Sequence, residues 1–186
     1  MYFLRKNDPT ISRFNPKILK DESRLVPKHV ATVTYGISKI FAVPLAYVYN
    51  WCTDFSDDDP KIIDASYTRH VIEKTKKRAI WIQHYTRDGV AKEGVRIVTL
   101  TPPDSWHLES VNEELYRTGD YTLASLGRKR TKLEIVIKTR YLSIPAESPT
   151  KLKESLSDDW DKYKGALEKE FAWGNRASIN SKPSQT

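Results

Sequence analysis

Side chains able to do chemistry fall into three groups along this 186-residue chain: four histidines, a run of aspartates and a lone cysteine. An imidazole titrates near neutral pH, so His84, set in the apolar run Arg78–Arg87, could orient a ligand or act as a general base if it turned inward. The plainer reading is a core histidine satisfied by a hydroxyl such as Ser110. His70 and His107 are expected at the surface, and His29 has no evident partner. Asp54, Asp57, Asp58 and Asp59 could hold a hard cation, but the run lacks the spaced ligands and glycine of a calcium loop. It is expected to cap a helix instead. Cys52 has no second cysteine to pair with, and nothing beside it in sequence would lower its pKa. It reads as a small buried residue. The phosphate loop, dinucleotide fingerprint, zincin helix and nucleophile elbow are all missing from the sequence. No catalytic residue, metal ligand or cofactor is therefore expected.

Charge supplies a fourth feature. The formal net charge is +7 and the pI about 9.3. Lys74, Lys76, Lys77 and Arg78 cluster at one turn, and Arg128, Lys129 and Arg130 at another. In an antiparallel meander alternate turns share an end, so both clusters should share one. That end could dock on an anionic surface, membrane headgroups first and RNA second. Ordinary solvated hairpins are the simpler reading, and nucleic acid is not an expected partner from charge alone. Charged residues make up 30% of the chain, and no apolar run approaches the roughly 20 residues of a spanning helix. Residues 1–5 are too short an apolar stretch for a secretory signal. A cytoplasmic, reducing compartment is expected.

The elements that must position these residues are legible from pattern. A hydrophobic content of 39% suits one domain with a sizeable core. Residues 1–28, broken by Asp8-Pro9, Asn15-Pro16 and Val26-Pro27, read as an N-terminal extension, and 175–186 as a disordered polar tail. Between them, 29–174 form the domain. Val30–Phe41 is a strand. Pro44 suits the first turn of a short helix, and Asp57-Asp58-Asp59-Pro60 opens a second. Six strands follow: Ser66–Lys74, Arg78–Arg87, Lys92–Leu100, Ser105–Asn112, Arg117–Leu126 and Thr131–Tyr141. Asp88-Gly89, Pro102-Pro103-Asp104 and Gly127 separate them, and connections this short force antiparallel neighbours. A long helix starts at Ser148-Pro149, carries Leu152, Leu156, Trp160, Tyr163, Leu167 and Phe171 on one stripe, and is expected to stop at Gly174.

This order resembles the helix-grip superfamily of START-type lipid-transfer domains, pollen-allergen-like proteins and polyketide cyclases. The local likeness lies in residues 38–51, a strand running into a proline-started aromatic helix followed by Asp54. A second stretch runs from Gly127 through Thr131-Lys132-Leu133-Glu134-Ile135. The resemblance covers about residues 30–174; the N-terminal extension and the basic loop Gly127-Arg128-Lys129-Arg130 depart from it. It implies an α+β fold, a curved seven-stranded antiparallel sheet around a long C-terminal helix, with two short helices between strands 1 and 2.

Alternation turns Leu133 and Ile135 toward the helix, with Ile137 beside them. The family register then puts Tyr121, Leu123, Trp106, Leu108, Val95 and Ile97 inward. For 78–87 both faces are apolar; Ile80, Ile82 and His84 are taken as inward over Trp81 and Tyr85. With Leu156 and Tyr163 from the helix, these residues are expected to line a cavity for a hydrophobic, lipid-like or aromatic small molecule, bound or carried without catalysis. The alternatives are a cyclase or hydrolase, which needs ionisable groups converging inside the cavity, and an interaction module working from the basic end.

Overall fold

A computed structural model describes residues 31–57 and 59–180 of the chain. The expected extension, His29, Asp58 and the last six residues lie outside the described residues. The order is β1 (Ala31–Phe41), α1 (Leu45–Cys52), α2 (Asp59–Ile62), β2 (Tyr67–Lys74), β3 (Arg78–Arg87), β4 (Val90–Thr101), β5 (Ser105–Val111), β6 (Leu115–Ser125), β7 (Thr131–Tyr141) and α3 (Pro149–Asn180). One antiparallel sheet runs β1-β7-β6-β5-β4-β3-β2. Strands β2 to β7 are the expected meander, and β1 returns to pair with β7 from Ala31↔Tyr141 to Phe41↔Thr131. No helix among the described residues is long and apolar enough to cross a membrane.

Local chemistry explains the joints. Asp88 and Gly89 both take positive φ (52° and 76°), the geometry that matches a two-residue hairpin to strand twist. Gly127, at φ 106°, opens the β6–β7 turn. Pro44 sits just outside α1 as its cap, not within its first turn, because its backbone is extended at ψ 148°. Its carbonyl accepts from the amides of Tyr47 and Val48 at 3.1 and 3.2 Å.

Helix α3 passes through Gly174, where a stop was expected, and continues to Asn180. A terminating glycine works by adopting positive φ. Gly174 is not among the residues that do so, and inside a helix glycine costs only about 1 kcal/mol.

The expected stripe on α3 faces the sheet. Leu152, Trp160 and Leu167 are buried, and Leu156, Tyr163 and Phe171 pack partly buried beside them. Along β7 every second residue from Thr131 to Tyr141 is buried. The helix is also tied to β1 and α1 by polar contacts. Lys39 Nζ reaches Ser157 Oγ at 2.8 Å and Asp161 Oδ1 at 2.7 Å. Glu168 accepts from the Ala42 amide at 2.7 Å, and Glu170 from Trp51 Nε1 at 2.9 Å. So α3 lies against the β1 side of the sheet, away from β3 and β4.

Tyr121 depends on a glycine two residues earlier. A Cβ at Gly119 would come within 2.8 Å of Ile137 Cδ1 and 2.9 Å of Tyr121 Cε2. Gly119→Ala should therefore cost about 1–3 kcal/mol by overpacking, measured by urea unfolding. An unchanged midpoint would mean that the Tyr121 ring does not fold back over Gly119.

Candidate functional site

Because α3 is drawn toward β1, a hollow of about 280 Å³ remains between it and strands β3 to β5. Its walls are chiefly aromatic. Trp106 stacks on Tyr121 with centroids 4.9 Å apart and planes 10° from parallel. Tyr121 meets Trp160 at 6.1 Å, Trp160 meets Tyr163 at 5.4 Å, and Tyr163 meets Trp51 at 6.2 Å. Phe55, on the connection after α1, lies 5.2 Å from Trp81 on β3, a separate ring pair in the same wall. Its φ of 49° is a left-handed conformation that bulky residues rarely adopt, and holding it there costs about 1–3 kcal/mol. Such rings offer large apolar area with little freedom to collapse inward.

Polar groups break this wall at a few points. Arg69 on β2 donates from Nη1 to Asp59 Oδ2 and to the Ser56 carbonyl, both at 2.8 Å, and from Nη2 to the Tyr67 hydroxyl at 3.1 Å. This pins α2 to the edge strand. Burial lifts the Asp59 carboxyl above the usual carboxylate range despite Arg69. Burial also raises Asp159, which lines the hollow from α3. Burial pushes the Tyr121 phenol up to about 12 and moves Tyr163 further still from neutrality. Arg96 on β4 enters the same space. Desolvation pulls its guanidinium below the ordinary value, and Arg117 adds repulsion.

Of the residues expected to line a cavity, Trp106, Leu108, Tyr121, Leu156 and Tyr163 line this one. Leu123, Leu133 and Ile135 do point inward, but they are packed in the solid core beside it. Ile82, His84, Val95 and Ile97 lie on the outer face, a correction to the expected register. Pairing back from the turn at residues 102–104 sets Leu100 opposite Trp106 and Val98 opposite Leu108, so Arg96 falls opposite Ser110. Arg96 in turn pairs with Trp81 and Val95 with Ile82, which puts Trp81 inside. Both faces of β3 are apolar, so its pattern decided nothing, and the register implied by the family resemblance set Val95 and Ile97 inward where β4 in fact presents Arg96. The Ser110 partner proposed for His84 falls with it. His84 instead stands 3.7 Å from Glu93 on the outside.

Trp51, Phe55, Arg69, Trp81, Arg96 and Trp160 belong to the lining and were missed there. Counting pairs from the β4–β5 turn would have found Trp81 and Arg96. His70 is exposed as expected, and His107 is half-buried on the outer face with its Nδ1 2.6 Å from Asp120. Asp59 stands in the first turn of α2, where the acidic run was expected to open a helix, and its carboxylate is bonded by Arg69. Burial drives the Cys52 thiol strongly upward, so it is no nucleophile.

The two basic turns are exposed, and strand parity puts them at one end of the sheet. Two members are engaged internally: Arg78 bonds Glu73 at 2.6 and 3.0 Å, and Lys74 reaches the Asp54 carbonyl. Lys76, Lys77, Arg128, Lys129 and Arg130 remain exposed.

No family model matches this chain, and no curated protein does. Solved structures do share its architecture. Ara h 8.0201 superposes with a TM-score of 0.59 at 14% identity, over 74% of this chain and 98% of its own. The ZhuI aromatase/cyclase of a Streptomyces species gives 0.52 at 15%, over 76% and 93%. A START superfamily protein from Mycobacterium smegmatis gives 0.53 at 13%, over 74% and 95%. The chain has the helix-grip fold.

The corrected register is open to test. Trp81→Ala should cost about 3–5 kcal/mol in chemical unfolding, as for a buried ring, while His84→Ala stays within about 0.5 kcal/mol. The reverse order would put His84 back inside.

Proposed function

We propose that this protein binds and carries a compact hydrophobic small molecule, aromatic or acyl, in the hollow beneath α3. The observation that carries this reading is the ring-walled space of about 280 Å³, which a core built for stability alone would have filled. Its size lies just under the range of about 300–1,000 Å³ typical of drug-sized sites. That favours a ring system or a single chain over a two-chain lipid. Solved neighbours described as a START superfamily protein and an aromatase/cyclase are consistent with such a ligand. The reading has the protein working in the cytoplasm.

A cyclase-type or hydrolase-type enzyme is the second reading, and one observation favours it. Asp59, Arg69, Arg96 and Asp159 all reach the hollow. Their chemistry weighs against it. Asp59 is held by Arg69, guanidinium groups stay protonated, and the tyrosines are moved away from neutrality. No imidazole lines the space among the described residues. Burial raises both Asp59 and Asp159 toward use as a base, and of the two only Asp159 is not bonded by Arg69. Binding is the better fit.

Native mass spectrometry of gently purified protein should show a small molecule bound above the 21.5 kDa chain. Leu156→Trp, which fills the hollow, should lower its occupancy about tenfold. Recovery of the ligand unchanged after incubation supports carriage; a changed mass would transfer the case to the enzyme. An empty protein that also gives no tryptophan fluorescence response to apolar probes would end the proposal.

The exposed basic end would let such a carrier meet an anionic membrane, ahead of RNA. Binding to anionic liposomes at low salt should exceed binding to neutral ones and fall as salt rises, each basic residue giving up to about 1 kcal/mol. Equal binding to both would remove the membrane from this picture.

A further inference from the structure

The carrier reading leaves the ligand's polar end undefined, and one side chain speaks to it. Arg96 lines the main hollow and also a smaller one, of about 160 Å³, that continues past it along the inner face. Among the described residues it has neither a hydrogen-bond nor an ion-pair partner. The contrast with the other arginines near these spaces is sharp. Arg69 is consumed by Asp59 and two further oxygens, and Arg87 is paired with Glu114 at 2.9 Å. Arg117, which lines the smaller hollow, has its Nε on Thr139 Oγ1 at 3.1 Å and brings no negative charge.

The acids nearby are committed or distant. Glu114 is engaged by Arg87 and approached by Lys92, Asp59 is engaged by Arg69, and Asp159 stands on the helix wall opposite the sheet. Arg96 is half-buried, and a guanidinium partly withdrawn from water without a counter-charge is one that folded proteins rarely keep. The inner face of β4 therefore carries a positive charge that the protein itself does not neutralise.

We infer that Arg96 is the docking point for an anionic group, a carboxylate in the first instance, on the hydrophobic molecule held beneath α3. A planar guanidinium presents paired N–H donors that match a carboxylate's two oxygens, and the low-polarity ring wall around it strengthens the contact. The apolar body of the ligand then lies against Trp81, Trp106 and Tyr121, and the acid lies at the sheet. The ligand class is a compact aromatic or acyl acid.

This rests on the carrier reading, so the test separates the two. Isothermal titration calorimetry on the full chain compares naphthoate with methyl naphthoate, and decanoate with decanol. The acids should bind about tenfold or more tightly than their neutral partners, the increment expected of a hydrogen-bonded charge. In Arg96→Met that preference should vanish while the neutral probes still bind. Removing a buried charge in favour of an apolar side chain is usually neutral or stabilising, so the variant should fold. Should it not, the acid–neutral comparison in the unaltered protein decides alone. If both members of each pair bind alike, Arg96 has no such role and the carrier reading stands. A preference that survives Arg96→Met assigns the anion to another residue and overturns the inference. If none of the probes binds, the carrier reading goes, and this inference with it.

Discussion

Everything in this fold follows from where α3 is held. The sheet is wide and curved, and one helix cannot cover it all, so the side to which the helix is fastened decides where space is left. Burial supplies most of the fastening. Trp160 packs edge-on against Phe41 at 6.5 Å, and Leu167 is fully enclosed, each worth about 1.5–3 kcal/mol relative to exposure. The polar ties to Lys39, Ala42 and Trp51 are partly exposed, and contacts of that kind give about 1 kcal/mol or less. They serve as register marks. Lys39, Glu168 and Glu170 hold the helix from sliding or rolling toward β3, a motion that would close the hollow.

The hollow itself has an energetic meaning. It opens partly to solvent, so its space of about 280 Å³ forfeits packing contacts along its walls without being a sealed dry cavity. Polar groups such as Gln83, Arg96 and Asp159 let water occupy it and soften the cost, yet the space remains one that stability alone would not select. Rigid rings, a residue at positive φ and a glycine beneath Tyr121 all keep it from collapsing. A ligand that displaces this water onto aromatic surface gains from a structure already formed.

Much of this was legible in the residues. Turn chemistry and strand length set the meander, and the three-and-four spacing of Leu152 to Phe171 set the helix and its face. Strand β7 alternates cleanly, so Leu133 and Ile135 were turned the right way, and the register implied by the family resemblance did the same for Trp106, Leu108 and Tyr121. Strand β3 offers apolar residues on both faces, because Ile80 and Ile82 sit on an outer surface that is itself apolar with Val95 and Val111. No periodicity distinguishes its two sides. The aromatic contributions of α1 and Phe55 come from a connection whose path only the closed fold reveals.

The misreading of β4 has a different and more informative cause. Alternation sorts polar residues outward because a buried charge is expensive, and the rule fails where a protein keeps that expense for a purpose. Strand β4 places Arg96 between Gly94 and Val98 on the inner face, so the residue that broke the pattern is also the one that polarises the hollow. Arg69, two strands further out, shows what a buried guanidinium looks like when its role is structural: a carboxylate, a carbonyl and a phenol all converge on it. Arg96 sits in the same fold, under similar burial, with none of these. The two arginines thus divide the work. One closes the edge of the sheet, and the other leaves a positive charge facing the space where a ligand would lie.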